Sequence, residues 1–309
     1  MPLTNEYRQI VWDAEVEDDC RQIVRLAIRE DLGRLYDWTT VALVPEAARG
    51  RAIVRTRRVG VIAGLPAAQL ALAEYDPALT WSATVADGDK VSAGAEIATV
   101  AGSARNLLTA ERTALNLLGR LSGIATLTSA YVAAVAGTAA RIYDTRKTTP
   151  AFRRLEKYAV RAGGGWNHRL GLSDGILIKD NHLAFGASSA TERYSPAAAI
   201  DRCREVVASL APLAVAGQIP IEIEVDTLAQ LDQVLPKLPD IVLLDNMSLD
   251  ELRAAVARRN AGFAQVQLEA SGGVTLETVA SIAQTGVDRI SVGALTHSAV
   301  CLDIGLDWD

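Results

Sequence analysis

The sequence predicts an α/β protein in two parts: a mixed N-terminal part and an α/β barrel that is closed or nearly closed. Three observations predict this fold class. The chain has 309 residues, which is enough to bury a large core and to form two domains, or one barrel with an appendage. Residues 51–102 are rich in strand patterns. From residue 141 onward, short β-branched runs alternate with helical stretches, which indicates a parallel sheet.

The N-terminal part begins with a predicted helix. Asp18-Asp19 can cap a helix over residues 20–28, and Gly33 can end it. The next predicted elements are, in chain order, a half-buried strand at residues 51–57, a helix at residues 65–75 and two strands around Asp87-Gly88-Asp89. This hairpin resembles part of a lipoyl- or biotinyl-type sandwich, but Lys90 lacks the flanking residues of a carrier lysine.

Residues 103–137 have a helical pattern, and Ser122-Gly123 predicts a break between two helices. Leucine-rich positions give the first helix a wide apolar face. Polar residues recur on it at intervals of four, three and four, and we call them the polar stripe: Arg105, Thr109, Arg112 and Asn116. The stripe is either a solvated face or part of a site, such as the site of a neighbouring subunit.

Six strands are predicted in the barrel part. They are Arg141–Tyr143, Ile176–Asp180, Ile221–Val225, Ile241–Asp245, Val266–Ala270 and Arg289–Gly293. The helical stretches lie near residues 196–210, 228–235, 249–259 and 276–285. A complete barrel has eight strands. The sequence therefore predicts an incomplete, TIM-like barrel, and residues 163–169 are a candidate for one further, irregular strand.

Charge and cysteine content narrow the possible functions. The formal net charge is -6, which argues against nucleic acid as the main partner because binding to a phosphate backbone needs a broad basic surface. Cys20, Cys203 and Cys301 are far apart and form no CxxC pair, so they predict neither a disulfide framework nor a structural zinc site. No signal-peptide pattern or membrane-spanning run is found in the sequence. We therefore expect a cytoplasmic protein without a membrane partner.

A basic island interrupts this acidic chain between residues 143 and 183. Its cationic residues are Arg146, Lys147, Arg153, Arg154, Lys157, Arg161, Arg169 and Lys179. Two of the three histidines, His168 and His182, lie in the same segment. Such an island predicts a pocket for a small molecule that carries several negative charges.

Residue types at the predicted strand ends change along the chain, and the chemistry of an α/β barrel gathers at these ends. Cations follow the early strands, carboxylates the middle ones and glycines the late ones. The residues concerned are Asp144, Arg146, Lys147, Lys179, Asp180, Glu224, Asp226, Asp245, Asn246, Glu269, Ser271, Gly272, Gly273, Gly293 and Ala294. Glycine turns can place backbone amides against a phosphate. Together these residues predict a site for a phosphorylated sugar, a divalent cation and a second, anionic substrate.

The chemistry of these side chains indicates which part of the substrates or metal each of them could bind. Glu224 and Asp245 offer oxygen ligands suited to magnesium. Arg112, Arg146 and Arg169 offer planar forks that can hold carboxylates through two hydrogen bonds. The point charges that can neutralise a leaving pyrophosphate are those of Lys147 and Lys179.

Each of these residues also has a structural interpretation. Glu222 and Glu224 have the same strand parity, so one could face solvent while the other is an ordinary ion-pair partner. Asp245 could cap the helix that follows Ser248. His168 could be a hydrogen-bonded structural histidine. The joint occurrence of such residues at successive strand ends favours the functional interpretation.

Six motifs occur in a fixed order: AERTALNLLGRLSGIAT, DTRKTTPAFRRLEKYAVRAGGGWNHRLGLSDGILIKDNH, IEIEVD, IVLLDN, LEASGGV and VGALTHS. With these motifs the chain closely resembles the quinolinate phosphoribosyltransferases, also called nicotinate-nucleotide pyrophosphorylases (carboxylating). The resemblance extends from about the first helix to the C-terminal LDIGLD. It implies an N-terminal α/β sandwich domain at residues 1–125, an α/β barrel at residues 126–296, and a tail at residues 297–309 that packs on the sandwich.

The resemblance also implies a reaction of NAD biosynthesis, in which quinolinate and phosphoribosyl pyrophosphate give nicotinate mononucleotide, pyrophosphate and carbon dioxide. It implies that this reaction requires magnesium. It also implies a homodimer or larger assembly in which Arg112 reaches the neighbouring site. The implied catalytic residues are Arg146, Lys147, Lys179, Glu224 and Asp245, with Glu224 and Asp245 as magnesium ligands. The implied substrate-binding residues are these five together with Arg112, Thr145, His168, Arg169, Ser271, Gly272, Gly273, Gly293, Ala294 and Leu295.

Two positions depart from the family pattern. Ala151 stands where glycine is common, and Trp166 replaces the more usual tyrosine. Both concern the shape of the pocket more than the reaction. Two other functions stay open: that of a paralogue of the same fold associated with molybdenum-transport genes, and that of a non-catalytic phosphate-binding barrel. Clustered charge speaks against the second, because a scaffold does not need it.

Overall fold

The structure is a computed structural model that describes residues 6–186, 194–210 and 219–308. Its helices are α1 (Ala14–Leu32), α2 (Trp38–Leu43), α3 (Leu65–Tyr75), α4 (Ala104–Ala134), α5 (Arg153–Ala162), α6 (Asp180–Phe185), α7 (Pro196–Leu210), α8 (Leu228–Val234), α9 (Leu249–Asn260), α10 (Val279–Ala283) and α11 (Ala294–His297). Its strands are β1 (Arg49–Thr56), β2 (Gly60–Val61), β3 (Thr80–Ala83), β4 (Lys90–Val91), β5 (Glu96–Ser103), β6 (Arg141–Tyr143), β7 (Ile176–Ile178), β8 (Ile221–Val225), β9 (Ile241–Asp245), β10 (Gln267–Ser271), β11 (Arg289–Ser291) and β12 (Ile304–Trp308). Over these described ranges, no helix combines the length and the apolar character that a bilayer span requires.

The described residues form two compact units. We call the first the barrel unit, and it comprises the described residues up to Gln9, Tyr131–Arg146 and Trp166–Gly293. We call the second the sandwich unit, and it comprises Ile10–Ala130, Lys147–Gly165 and the described residues from Ala294 onward. Each unit therefore contains segments that are distant in the sequence.

The sandwich unit contains a four-stranded antiparallel sheet in the order β12-β1-β5-β3. In β1, Ala52 and Val54 are buried and alternate with residues that are not, which is the pattern of a half-buried strand. The predicted strand near residues 51–57 and the predicted helix at residues 65–75 are confirmed. The last strand, β12, pairs with β1 and places Trp308 opposite Ala52.

Helix α1 begins earlier than the sequence analysis predicted. The Asp13 carboxylate accepts hydrogen bonds from the amides of Glu15 at 3.1 Å and Val16 at 3.0 Å, so Asp13 is the N-cap. The predicted cap at Asp18-Asp19 is wrong, because both residues lie inside the helix. Gly33 does end the helix, with a φ of 57°.

Helix α4 is one continuous helix of 31 residues, so the predicted break at Ser122-Gly123 is wrong. The Ser122 hydroxyl accepts a hydrogen bond from the amide of Ala63 at 3.0 Å. A Cβ atom at Gly123 would lie 2.1 Å from the carbonyl oxygen of Val300. This glycine is therefore needed because another segment of the backbone approaches the helix closely.

The Asp87 turn serves as a helix cap. The Asp87 carboxylate accepts hydrogen bonds from the amides of Gly64 at 3.0 Å and Leu65 at 3.1 Å, where α3 begins. It also accepts one from the Tyr158 hydroxyl at 2.6 Å. A carboxylate at a helix amino end is favourable because it satisfies free N–H groups and complements the helix dipole.

The barrel unit contains six parallel strands in the order β6-β11-β10-β9-β8-β7. These are the six predicted strands, and the bounds of β8 and β9 agree with the sequence analysis. Trp166 forms an isolated parallel bridge to Tyr143. The suspected irregular strand thus adds one bridge at the β6 edge, and the prediction of an incomplete α/β barrel is confirmed.

Strand β8 carries two glutamates whose side chains are largely buried in the barrel unit. Ile223 and Val225 are buried on one face of β8. On the other face, Glu222 is fully buried and the Glu224 side chain is 12% exposed. The interpretation that one of these two glutamates faces solvent is therefore wrong.

Candidate active site

The carboxyl end of the parallel sheet collects three carboxylates. Glu224, Asp226 and Asp245 each place one carboxylate oxygen within 4.8 Å of the others, and we call them the mouth carboxylates. They converge because β8 and β9 are parallel neighbours. Lys179 follows the adjacent strand β7, and its Nζ lies 2.5 Å from Glu224 Oε2. The structure thus brings together the predicted residues Lys179, Glu224 and Asp245.

Among the described residues, three arginines of the barrel unit have an unsatisfied buried donor: Arg146, Arg169 and, at Nη2, Arg289. The Nε atoms of Arg146 and Arg169 are buried and have no hydrogen-bond partner among the described residues. Arg169 is 6% exposed, and its Nη1 donates to the carbonyl of Gly175 at 3.1 Å. Burial lowers the pKa of Arg169, and the positive charge of Arg146 acts in the same direction. An anion that accepted these hydrogen bonds would remove the cost of the unsatisfied donors.

Asp144 holds the segment that carries Arg169. It is fully buried, and its carboxylate accepts hydrogen bonds from Asn167 Nδ2 at 2.7 Å and from the amide of His168 at 2.8 Å. The first barrel strand therefore ends in a carboxylate that orders a second segment of the site. We call this segment, Asn167–Arg169, the arginine loop.

His168 lies inside the barrel unit and is 5% exposed. Its Nε2 lies 2.9 Å from Glu222 Oε2, and its Nδ1 accepts a hydrogen bond from the amide of Arg169 at 2.8 Å. This pairing places the ring proton on Nε2. Burial lowers the pKa of His168, but the negative charges of Glu222 and Glu269 outweigh burial and raise it. Protonation of His168 at Nδ1 is opposed, because the amide of Arg169 needs Nδ1 as a hydrogen-bond acceptor.

A cluster of buried polar side chains surrounds His168. Tyr7 donates to Glu222 Oε2 at 2.7 Å, and Arg289 Nε donates to Glu269 Oε2 at 2.7 Å. Burial raises the pKa of Glu269, and the charge of Glu222 raises it further. At Glu222 burial also favours the neutral acid, but the charges of His168 and Arg289 outweigh it and lower the pKa. The cluster therefore pairs Oε2 of Glu222 with Tyr7 and His168, whereas Oε1 of Glu222 is buried without a hydrogen-bond partner among the described residues.

The predicted phosphate turn lies beside Asp245. Ser271 pairs with Asp245 across β9 and β10, and its carbonyl accepts a hydrogen bond from the amide of Asn246 at 2.9 Å. A Cβ atom at Gly272, where φ is 97°, would lie 2.0 Å from Asn246 Oδ1. Glycine is therefore required at this turn, both for its positive φ and for the close approach of Asn246.

Two predicted residues of the barrel unit have less distinctive environments. Thr145 and Gly293 are both half-buried, the first between Asp144 and Arg146 and the second after β11. The other predicted residues that follow strands β6 and β11, namely Lys147, Ala294 and Leu295, belong to the sandwich unit. Lys147 is exposed, and its carbonyl accepts a hydrogen bond from the Thr296 hydroxyl at 2.7 Å. Leu295 is fully buried.

Arg112 also belongs to the sandwich unit, where it lines a cavity of about 380 Å³. The other polar lining residues are Glu30, Asp31, Thr113, Asn116, Arg120 and Thr149. At the other end of the polar stripe, Arg105 Nε donates to the carbonyl of Val44 at 2.8 Å and Thr109 donates to Asp37 at 3.2 Å. The stripe is therefore structural in its first half and open to a ligand in its second half.

Part of the basic island stabilises the sandwich unit. Arg154 forms ion pairs with Glu15 and Asp19, both at 2.8 Å. Lys157 is fully buried, and Arg161 donates to the carbonyl of Gly165 at 2.5 Å. The island is therefore not one continuous pocket.

Comparison with known proteins decides the family. Residues 37–122 match the N-terminal domain of quinolinate phosphoribosyl transferase, and residues 124–307 match its C-terminal domain. The chain belongs to the quinolinate phosphoribosyltransferase family. The resemblance inferred from the sequence motifs is confirmed.

Individual members of the quinolinate phosphoribosyltransferase family are similar over nearly the whole chain. The nicotinate-nucleotide pyrophosphorylase [carboxylating] of Mycobacterium leprae is 47% identical over 292 residues, which cover 94% of this chain and 97% of that protein. The solved nicotinate-nucleotide pyrophosphorylase of Francisella tularensis has a TM-score of 0.86 at 34% identity, covering 98% of this chain and all of that chain. The corresponding structure from Ehrlichia chaffeensis has a TM-score of 0.82 at 36% identity, covering 93% and 98%.

Sequence analysis missed Tyr7, Gln9 and Arg289 as residues around the arginine loop. Tyr7 is separated from its partner Glu222 by 215 positions, so no local pattern links them. A usable signal was available for Arg289, because a cation at the start of an otherwise apolar strand needs a buried partner. Glu269 on the neighbouring strand is that partner.

Proposed function

We propose that this chain transfers the phosphoribosyl group of phosphoribosyl pyrophosphate to quinolinate, giving nicotinate mononucleotide, pyrophosphate and carbon dioxide. The reaction is a step of NAD biosynthesis, and it makes the chain a pentosyltransferase. One observation carries the proposal. The barrel unit contains buried, unsatisfied guanidinium donors at Arg146 and Arg169, and it also contains the mouth carboxylates. The relatives named nicotinate-nucleotide pyrophosphorylase [carboxylating] support it.

Quinolinate carries two carboxylates, and its binding needs cationic donors. Arg146 and Arg169 supply Nε–H groups that are buried and have no partner among the described residues. A charge-assisted hydrogen bond from each would hold a carboxylate in a defined orientation. The further residues that we propose to contact this substrate are Thr145, Lys147 and His168.

The mouth carboxylates suit magnesium. Magnesium prefers oxygen ligands and is usually held by one or two carboxylates together with substrate oxygens. We propose Glu224 and Asp245 as its ligands, with Asp226 beside them. Bound there, the ion would neutralise charge on the pyrophosphate group. The amides of Ser271, Gly272 and Gly273, with those of Gly293 to Leu295, are proposed to bind phosphate.

The transfer needs electrostatic stabilisation more than a side-chain nucleophile. The ring nitrogen of quinolinate attacks the anomeric carbon while pyrophosphate departs, so positive charge develops on the ribose and negative charge on the leaving group. Glu224 and Asp245 would stabilise the former, and Lys147 and Lys179 the latter. Positions fixed in advance make such groups effective, since they need no reorganisation during the reaction.

Loss of carbon dioxide follows from the chemistry of the transferred base. Once the ring nitrogen carries the ribose, its positive charge stabilises the electron pair that the departing carboxylate leaves on the adjacent carbon. A proton then adds to that carbon, which gives nicotinate mononucleotide. The protein would orient the ring and exclude water. The buried donors of Arg146 and Arg169 would perform both tasks.

We also propose a cytoplasmic homodimer in which Arg112 reaches the neighbouring site. The sandwich unit exposes Leu35, Tyr36, Trp38 and Leu43 by 62%, 64%, 63% and 77%, close together in the sequence. Clustered exposed apolar side chains are typical of protein interfaces. The cavity beside Arg112 leaves that guanidinium accessible to a ligand. The free cysteines fit a reducing compartment.

Incubation of the purified protein with phosphoribosyl pyrophosphate, magnesium and one pyridine or purine acceptor at a time tests the function. We expect nicotinate mononucleotide from quinolinate and little product from nicotinate or purines. Preference for another acceptor would favour the molybdenum-associated paralogue. Absence of transfer to every acceptor would favour a non-catalytic phosphate-binding barrel.

Metal removal tests the magnesium site separately. Dialysis against EDTA should abolish product formation, and added magnesium should restore it, because the charge on pyrophosphate would otherwise remain uncompensated. The Glu224→Gln variant should need a higher magnesium concentration for half-maximal rate. A rate that does not respond to EDTA would contradict this part of the proposal.

A further inference from the structure

The N-terminal segment of the barrel unit contacts the arginine loop from one side. Gln9 forms a two-way contact with Asn167: its Nε2 donates to the Asn167 carbonyl at 3.1 Å, and its Oε1 accepts from the Asn167 amide at 2.8 Å. Gln9 Nε2 also donates to the carbonyl of Tyr7 at 2.8 Å. One glutamine side chain thus couples the N-terminal segment to the first residue of the loop.

Tyr7 supports the same loop through its ring and its hydroxyl. It is 2% exposed, and its ring stacks on His168 with a centroid distance of 4.7 Å and an interplanar angle of 27°. Its hydroxyl donates at 2.7 Å to Glu222 Oε2, the same oxygen that lies 2.9 Å from His168 Nε2. Ring and hydroxyl therefore fix both the plane and the hydrogen-bond partner of His168.

The support given by Tyr7 and Gln9 extends to Arg169. His168 Nδ1 accepts from the Arg169 amide at 2.8 Å, so the orientation of the histidine ring sets the backbone of Arg169. The guanidinium of Arg169 is held at Nη1 by the carbonyl of Gly175. A Cβ atom at Gly175 would lie 2.6 Å from the Tyr7 ring, so Tyr7 packs directly against the residue that holds this guanidinium.

We propose that Tyr7 and Gln9 are positioning residues for the anionic substrate, which hold the arginine loop so that the unsatisfied Nε of Arg169 meets a carboxylate of quinolinate. Neither residue is assigned to contact the substrate. The inference rests on the proposed function for the identity of the ligand, whereas the support of the loop rests on the contacts alone. Loss of support should weaken ground-state and transition-state binding equally, since the same guanidinium contact exists in both.

Two variants test the proposal. Gln9→Met keeps the length of the side chain and removes both hydrogen bonds to Asn167, and Tyr7→Phe keeps the ring and removes the hydroxyl. Each should raise KM for quinolinate at least fivefold, with kcat and the KM for phosphoribosyl pyrophosphate within about twofold of wild type. Amide hydrogen exchange at residues 167–169 should accelerate at least tenfold in Gln9→Met.

Tyr158→Phe is the matched control, because it removes a tyrosine hydroxyl that donates to a carboxylate, Asp87, in the sandwich unit. It should lower Tm without changing KM for quinolinate. Unchanged KM for quinolinate in both test variants, or parallel losses of kcat and Tm like those of a merely destabilised protein, would overturn the proposal. Wild-type protein that does not use quinolinate would instead refute the proposed function, and the hydrogen-exchange result would still decide whether Gln9 supports the loop.

Discussion

Arg146 and Arg169 define the site at the scale of single residues. Each keeps a buried Nε–H without a partner among the described residues. A buried donor left unsatisfied costs about 1–3 kcal/mol, and more when it is charged. A bound carboxylate would remove this cost and the repulsion between the two cations. We therefore expect their contribution to appear in substrate binding more than in stability.

Arg146→Ala should lower kcat/KM by on the order of 100-fold, equivalent to about 3 kcal/mol of transition-state stabilisation. The physical reason is the loss of a positioned cation that water cannot replace. Arg154→Ala is the control, since Arg154 belongs to the same basic island but pairs with Glu15 and Asp19. Its kcat/KM should stay within about twofold of wild type. Near-normal turnover by Arg146→Ala in a steady-state assay would contradict the assignment.

Ala151 has a left-handed backbone, with a φ of 67°. This conformation costs an L-residue about 1–2 kcal/mol, whereas glycine adopts it freely at a smaller entropic cost. The departure from the family pattern thus concerns local backbone strain. Ala151→Gly should raise the free energy of unfolding by on the order of 0.5–1 kcal/mol in urea denaturation.

The opposite sign is expected where the backbone is helical. Ala257 is exposed within α9, and Ala257→Gly should lower the free energy of unfolding by about 1 kcal/mol. If Ala151→Gly lowered stability as Ala257→Gly does, the left-handed conformation of Ala151 would be wrong.

Single residues were predictable where the barrel architecture fixes their place. Glu224 and Asp245 lie at the carboxyl ends of recognisable strands. Parallel strands end on one edge, so the sequence predicted that their side chains would converge. Tyr7 and Gln9 were not predictable, because their partners lie far along the chain and nothing local marks the N-terminal segment. Asp226 was found at a strand end but was not recognised as a third mouth carboxylate.

At the scale of elements, α4 contains a glycine that is required for tertiary packing. Gly123 lies inside the helix, where glycine normally lowers stability. The carbonyl of Val300 takes the space that a Cβ would occupy. Sequence analysis predicted a helix break because glycine ends helices more often than it accommodates a neighbouring backbone.

Gly123→Ala should therefore destabilise the protein, although alanine is the better helix former. A contact of 2.1 Å forces the backbone near Val300 to move, at a cost of about 1–3 kcal/mol by comparison with overpacked cores. Chemical denaturation with Gly262→Ala as control measures the effect, because a Cβ at Gly262 would meet nothing within 4 Å. Equal or greater stability of Gly123→Ala would show that the two segments are farther apart.

Helix α5 contributes a buried carboxylate that orders the segment after Arg146. Glu156 is fully buried and accepts hydrogen bonds from Arg120 Nη2 at 2.7 Å and from the amide and hydroxyl of Thr149 at 3.1 and 2.9 Å. Glu156→Ala should cost about 3–5 kcal/mol in the free energy of unfolding, because it removes the buried carboxylate that pairs with Arg120. Glu17→Ala, which breaks an exposed pair with Arg21, should cost less than about 1 kcal/mol. Similar losses in both variants would contradict this assignment.

Strands were predicted better than helix ends. Short β-branched runs have a clear period and clear boundaries, and β8 and β9 were placed to the residue. The start of α1 was misplaced because Asp13 and Asp18-Asp19 are equally good cap residues in the sequence. The choice between them depends on the backbone conformation at Asp13, which is extended.

At the scale of the whole molecule, strand order explains how the barrel unit assembles a site. The order β10-β9-β8-β7 places Ser271, Asp245 and Glu224 at the carboxyl ends of adjacent strands and Lys179 directly after the next strand, although they are far apart in the sequence. Family membership and these residues at the strand ends together support the proposed phosphoribosyl transfer. The order of the motifs was readable from the sequence, whereas the buried cluster beneath them required the structure.

The release of carbon dioxide tests the central claim most directly. Quinolinate labelled in the carboxylate next to the ring nitrogen would be incubated with the protein, phosphoribosyl pyrophosphate and magnesium, and labelled carbon dioxide and pyrophosphate would be measured together. The account predicts one carbon dioxide for each pyrophosphate, with both released far more slowly by Arg146→Ala. Pyrophosphate released without carbon dioxide, or neither released by the wild-type protein, would contradict it.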